Sequence, residues 1–289
     1  MSALRDRLFR ALTRPPFRDA EGHKGWLSPF AHAQRHVVRR IALTLPGWPV
    51  WKRPLRIAFL SDFHVGSHTN DVARLARIVE EARAYRPDLA LYGGDFVNLI
   101  PFGGGRVPPE IVAAVLARLD APLGRVAVLG NHDRNYGPDE VAKALRANGI
   151  TVLFDSVHEI AFEGGNVPVV GIHDARRNRL ESHAILMKLD ASNPAIVLAH
   201  DPHWFAHLPA GPHLMLAGHT HGGQICLPGF GPLRNASWAP LRWTYGMVVE
   251  GGKRMYVTSG LGCSALPLRI AARPEWVLLE LNGAGATRG

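Results

Sequence analysis

The chain has 289 residues, 47% hydrophobic and 20% charged, with 2 cysteines; this excludes a largely disordered protein, a disulfide scaffold and an all-cysteine zinc site. The formal net charge is +9, yet residues 1–56 hold 12 Lys+Arg against 3 Asp+Glu while residues 57–289 hold 21 of each. A nucleic-acid-binding domain carries its basic stripe on its own fold, so a basic leader (1–56) on a charge-balanced body (57–289) argues against nucleic acid as a partner.

In the leader, Leu4, Leu8 and Leu12 recur at helical spacing among Arg5, Arg7, Arg10 and Arg14. Val37, Val38, Ile41 and Leu45 repeat a helical period beside Arg39 and Arg40, and Trp26, Phe30, Trp48 and Trp51 add aromatics. This pattern fits a peripheral helix on an anionic membrane, a lid over an anionic substrate, or a segment packed on the body with solvated arginines. No apolar run reaches the length of a membrane-spanning helix. Arg39-Arg40 before Ile41–Trp51 raises a twin-arginine export signal, but Pro46 and Pro49 break that run and no small-residue cleavage site follows. The expectation is a cytoplasmic protein, peripheral on the inner membrane face.

From residue 57 strands and helices alternate. Ile57–Leu60, Leu89–Tyr92 and Val126–Leu129 read as strands; Val72–Tyr85, Ile111–Leu119 and Val141–Ala147 read as helices, the last ended by Gly149. Val152–Phe154, Val167–Ile172, Ile196–Ala199, Leu214–Leu216, Met247–Val249, Met255–Thr258 and Trp276–Leu281 are further strands. The front half alternates β and α and the back half is strand-rich, which predicts an α/β fold with mixed sheets.

Histidines and carboxylates cluster where these strands end. Asp62-Phe63-His64, Gly93-Gly94-Asp95, Gly130-Asn131-His132-Asp133, His200 and Gly218-His219-Thr220-His221 each follow an apolar strand. Ligands of α/β sheets gather outside the strands' carboxyl ends, so five loops converge on one predicted site. Carboxylate, amide oxygen and imidazole without thiolate suit hard-to-borderline divalent metals. Two such ions clamp a phosphoryl group and lower the pKa of a bridging water, which attacks in line. Motifs for a phosphate-binding loop, a zinc-protease helix and a serine nucleophile elbow are missing.

This series resembles the calcineurin-like metallophosphoesterases, from about Ile57 to Leu281. Ala217–Pro228 and Ser259–Glu275 also resemble the bacterial phosphodiesterases of the YkuE/YaeI type, which are related to one class of UDP-2,3-diacylglucosamine pyrophosphatases. The resemblance implies a four-layer α/β/β/α sandwich of two mixed sheets. It also implies a dinuclear phosphoester hydrolase, foremost a phosphodiesterase, with a metal-bridging hydroxide as nucleophile. By motif position Asp62, His64 and His221 hold one metal, Asn131, His200 and His219 the other, and Asp95 bridges them. His132 would protonate the leaving oxygen or stabilise the phosphoryl charge. The metals implied are manganese first, with Fe, Zn, Co or Mg as alternatives. Two other readings stay open: a pyrophosphohydrolase of a lipid-linked substrate, which the basic leader would help to gather, and a non-enzymatic scaffold. The seven ligand positions and His132 are all present, which speaks against the scaffold.

One position departs from the family pattern. Where many members carry a second carboxylate to orient the histidine, this chain has Asn98; Asp133 is a substitute for that task. Arg134 and Arg176 are candidate phosphate contacts, the latter in the cluster with Arg177 and Arg179. Pro101–Pro109 reads as a mobile rim loop, His68 and His203 as neighbours of the site, and Cys226 and Cys263 as free buried thiols.

Overall fold

The computed structural model describes residues 34–68, 71–99, 105–173 and 179–284. Short apolar runs become buried strands that alternate between two cores. In Ile196–Ala199, Ile196 and Leu198 point one way and Val197 and Ala199 the other; Ile57 and Phe59 part from Ala58 and Leu60 likewise. Such two-faced burial is what a sheet covered on both sides demands, and each buried Ile, Leu or Phe contributes about 1.5–3 kcal/mol.

The first sheet has the order β1 (Val37–Leu45), β14 (Glu275–Gly283), β2 (Leu55–Leu60), β3 (Leu89–Tyr92), β4 (Arg125–Ala127), β5 (Thr151–Val152). The second runs β12 (Gly246–Glu250), β13 (Lys253–Val257), β9 (Leu214–Ala217), β8 (Ile196–Ala199), β7 (Gly165–Ile172), β6 (Ser156–Phe162). A short antiparallel ladder pairs β10 (Cys226–Leu227) with β11 (Gly231–Pro232). Both large sheets are mixed. β2, β3, β4 and β5 run parallel and β14 antiparallel to β2; β7, β8, β9 and β13 run parallel, with antiparallel edges β6 and β12.

Phe59, Leu91 and Val128 of the first sheet meet Val169, Leu198 and Leu216 of the second in the central core. Helices α1 (Asp71–Ala84), α2 (Pro109–Leu116) and α4 (Pro138–Ala147) cover the first sheet through Ile78, Val112 and Leu145. α5 (Arg179–Met187), with Phe205 and Trp243, covers the second. A single-turn α3 (Asn131–Tyr136) follows β4. The four layers are α/β/β/α.

The leader is where sequence and structure differ. Val37–Leu45 is not a helix; it is a strand in parallel register with β14, from Val37 opposite Glu275 to Leu45 opposite Gly283. Its β-branched residues and its edge position, where only one neighbour is needed, favour the strand. Residues 34–56 hold six Lys or Arg and no acid, but the body's carboxylates answer several of them. Arg53 meets Asp88 at 2.7 Å, Arg56 meets Glu280 at 3.5 Å and Arg39 meets Glu275 at 3.4 Å. The charge boundary at residue 56 therefore cuts through the fold. The amphipathic stretch Leu4–Leu12 lies outside the described residues, as do Arg176, Arg177 and part of the 101–109 loop. Among the described residues no helix is long and apolar enough to cross a membrane.

Candidate metal centre

The parallel strands β2, β3 and β4 of one sheet and β8 and β9 of the other end at the same edge of the sandwich, and their loops are stitched together. Asp62 N–H donates to Gly94 O at 3.0 Å, His64 N–H to Asp95 O at 2.8 Å and Gly218 N–H to His200 O at 3.0 Å. Leu261 N–H reaches Ser61 O at 3.1 Å, which ties the loop after β13 to the loop after β2.

The backbone is bent hard to aim these side chains. Asp62, His64, Asp95, His219 and His221 all have positive φ, from 38° to 68°. Such conformations cost of the order of 1–3 kcal/mol each in non-glycine residues and persist only where the surroundings fix them. Glycines make room: a Cβ on Gly130 would collide with the Asp95 carboxylate, and one on Gly218 with Ser61 and Asp62.

Asp62, His64 and His221 offer donor atoms within 4.8 Å of one another, as do Asp95, His200 and His219. Asp95 Oδ2 lies 3.3 Å from both His64 Nε2 and His200 Nε2. Asn131 Oδ1 stands 3.3 Å from His200 Nε2, and His200 Nε2 stands 3.1 Å from His219 Nδ1. Tautomers follow from the acceptors behind the rings. His200 Nδ1 donates to Gly93 O at 2.7 Å, and His219 Nε2 donates to Ala236 O at 3.2 Å. The lone pairs of His200 Nε2 and His219 Nδ1 are thus turned toward Asp95.

Burial, then the neighbouring His132, hold His64 well below the ordinary imidazole value; burial and His64 do the same to His221. Burial opposes ionisation of Asp95, but His200, His132 and His64 together pull it well below the usual carboxylate range. The six carboxylate and imidazole groups, with the Asn131 amide and without thiolate, fit divalent ions.

His132 belongs to the same cluster, within the 4.8 Å limit of His64 and Asp95. Its ring meets the His64 ring edge-on at 4.4 Å between centroids, its backbone N–H donates to Asp95 Oδ1 at 2.8 Å, and its Nε2 faces Ser264 Oγ at 3.5 Å.

The structure corrects the role expected of Asn98 and Asp133 as partners of His132. Asn98 Nδ2 donates to Gly105 O at 3.1 Å, while His132 Nδ1 has no hydrogen-bond partner among the described residues. Asp133 instead accepts backbone N–H groups from Asp95 (2.7 Å), Phe96 (2.8 Å), Val97 (3.3 Å) and Gly130 (2.9 Å). It is the buckle between the β3 and β4 loops; burial, then Asp95, push its carboxyl up to about 7. Arg134 lies on α3, partly buried. His68 is buried between Ser67 Oγ (3.0 Å) and Cys263 Sγ (3.7 Å), and His203 stacks edge-on against Trp238. Cys226 and Cys263 are free and buried.

Sequence reasoning did not single out Arg269. It is fully buried and donates only to acceptors behind the site: Nη2 to Ser259 O at 2.7 Å, Nε to Gly262 O at 3.0 Å and Nη1 to His221 O at 3.1 Å. Nη2 also stands 3.2 Å from His221 Nδ1. An arginine in a proline-flanked segment reads as a solvated charge; only the carbonyls that the loops turn toward it show otherwise.

A groove of about 340 Å³ runs from His221 and Ser264 past Gln224, Ile225 and Leu233 to Arg234.

Comparison with known proteins agrees with this geometry. The family model for calcineurin-like phosphoesterases matches residues 55–223. Metallophosphoesterase YkuE of Bacillus subtilis (strain 168) is 29% identical over 78% of this chain and 79% of its own length. Phosphodiesterase YaeI of Escherichia coli (strain K12) is 32% identical over 79% of this chain and 82% of its own. A metallophosphoesterase of Aquifex aeolicus (strain VF5) is 28% identical over 90% of this chain and 97% of its own. With a family match spanning every proposed ligand and relatives aligned over most of their length, this chain belongs to the calcineurin-like phosphoesterases.

Proposed function

We propose that the chain is a phosphodiesterase that works with two divalent cations, manganese foremost. The observation that carries this reading is the position of Asp95 Oδ2, 3.3 Å from an imidazole of each triad. Asp62, His64 and His221 would hold one ion, Asn131, His200 and His219 the other, and Asp95 would serve both. The ions supply Lewis acidity and an activated water. The chain's own residues do the rest. Asp95 and His132 are tied together through the His132 N–H, which fixes the ring beside the reacting centre. His132 is only partly buried, so its Nε2 can give a proton to the departing oxygen or hold the phosphoryl charge. Arg269 and Asp133 keep the ligand loops in register without touching substrate.

The groove between Ser264 and Arg234 seats the part of the diester that leaves. Its apolar wall, Ile225 and Leu233, favours a second reading in which the substrate is an amphiphilic, pyrophosphate-linked molecule. The test is a panel of soluble monoesters, diesters, nucleotide-sugar pyrophosphates and acylated pyrophosphates, on protein whose metal content is measured. Diester turnover that rises with Mn²⁺ to two equivalents per chain is expected. A monoester-only profile, or full activity in metal-stripped protein, overturns the reading.

A further inference from the structure

The segment that follows the metal-binding turn breaks the usual rule for a water-facing surface. Phe230 is 87% exposed, Leu233 65% and Trp238 62%, and Ile225, Leu227 and Leu241 are exposed beside them. The ladder β10–β11 presents Phe230 at its turn. Phe230 N–H closes on Leu227 O at 3.0 Å, and glycines with φ of 81° and 82° stand on either side of it. The patch is continuous. Ile225 and Leu233 share the groove that reaches His221, and Leu233, Trp238 and Leu241 share a second groove of about 420 Å³. Arg234 lines both.

Charge points the same way. From Pro202 to Pro274 the chain has six Lys or Arg and a single acid, Glu250, and Arg242 engages that acid at 2.8 Å. Arg234, which lines both grooves, makes no ion pair among the described residues, in contrast to Arg39, Arg53 and Arg56 near the N-terminus. An exposed apolar turn, a tryptophan at its flank and an arginine without an acidic partner, in a segment with an excess of basic residues, form the combination that seats a protein in the headgroup layer of an anionic bilayer.

We propose that this rim docks on an anionic lipid surface, with Leu227, Phe230, Leu233 and Trp238 entering the interface and the groove beside His221 opening toward the headgroups. Docking stands on the rim alone; delivery of an amphiphilic phosphodiester into the groove rests on the phosphodiesterase reading. The surface is drawn from residues 225–241.

The experiment uses the full chain and two sets of vesicles, phosphatidylcholine alone and phosphatidylcholine with an equal part of phosphatidylglycerol. Co-sedimentation is measured for the unaltered protein, for Phe230→Asp, for Phe230→Asp with Trp238→Asp, and for a leader variant with Arg5, Arg7 and Arg10 changed to Gln. Binding to the anionic vesicles is expected, weakened about tenfold or more by the double change, with turnover of a soluble diester unaltered. Vesicle binding that survives both aspartates, or is abolished by the leader variant alone, overturns the proposal. So does a dimer in solution that the aspartates break, in a protein that binds neither vesicle. Vesicle binding lost in the aspartate variants, in a protein that hydrolyses no diester, keeps the docking surface and removes the phosphodiesterase reading instead.

Discussion

The metal cradle and the 225–241 rim are neighbours with opposite violations of the same rule. In the cradle, Asp62, His64, Asp95, His200 and His221 are buried although polar. In the rim, Phe230, Leu233 and Trp238 are exposed although apolar. Each arrangement costs free energy for the folded chain alone. The cradle's cost is offset when cations enter among the lone pairs, and the rim's when something apolar covers it. The lesson is that a site shows itself as local inconsistency, and the sign of the inconsistency names the ligand's chemistry.

Experiments on the cradle carry the largest expected effects. Asp95→Ala removes the oxygen common to both triads and should lower kcat/KM by about 10³-fold or more, with loss of bound metal; a variant that keeps two equivalents of metal breaks the assignment. His132→Ala should cost about 10²–10⁴ in kcat while metal content stays at the unaltered level; metal lost with the ring would make His132 a ligand. Gly130→Ala forces a methyl group against Asp95 and should destabilise the protein by about 1–3 kcal/mol in a denaturant titration.

Acidification separates the regions further. His64 and His221 resist protonation in the folded chain, whereas in the unfolded chain they titrate near the ordinary imidazole value of 6.5. Below that pH the unfolded state takes up protons that the folded site refuses, so metal-stripped protein should lose stability from about 6.5 downward. Thermal melts between neutral and mildly acid pH check this, and a flat profile contradicts it. The rim gives the smallest effect: Phe230→Ser should move stability by no more than about 0.5 kcal/mol, since little packs on that ring.

The contrast also explains what could be read before the fold was known. Strands such as Leu89–Tyr92 and Ile196–Ala199 are unbroken apolar runs because both their faces are covered, and they were legible for that reason. So were the loops after them, whose Asp and His residues mark the strand ends. Two edge strands, β1 and β6, were not, although the edges β12 and β5 were read in part. Val37–Leu45 mixes two arginines with its apolar residues and imitates a helical period. Ser156–Phe162 alternates with polar residues and carried no signal, its burial confined to Ile160 and Phe162. The surroundings of Asn98 and Arg269 were hidden in a different way. Their partners, Gly105 O and the carbonyls of Ser259 and Gly262, are backbone atoms, which no residue pattern displays.

The place of β14 in the first sheet has a consequence in time. It lies between β1 and β2, so a strand synthesised after both must be admitted between them. Until then the β1 segment has no neighbour in its sheet, and the ladder edge of β2 that β14 will cover stands open. Glu275, at the start of β14, also receives the hydroxyls of Tyr256 and Thr258, just ahead of the loop that Arg269 clamps. Assembly of the catalytic end therefore waits for the synthesis of β14. Pairing at such sequence separation is slow, and during the delay the open strand edges are the chain's exposure to aggregation.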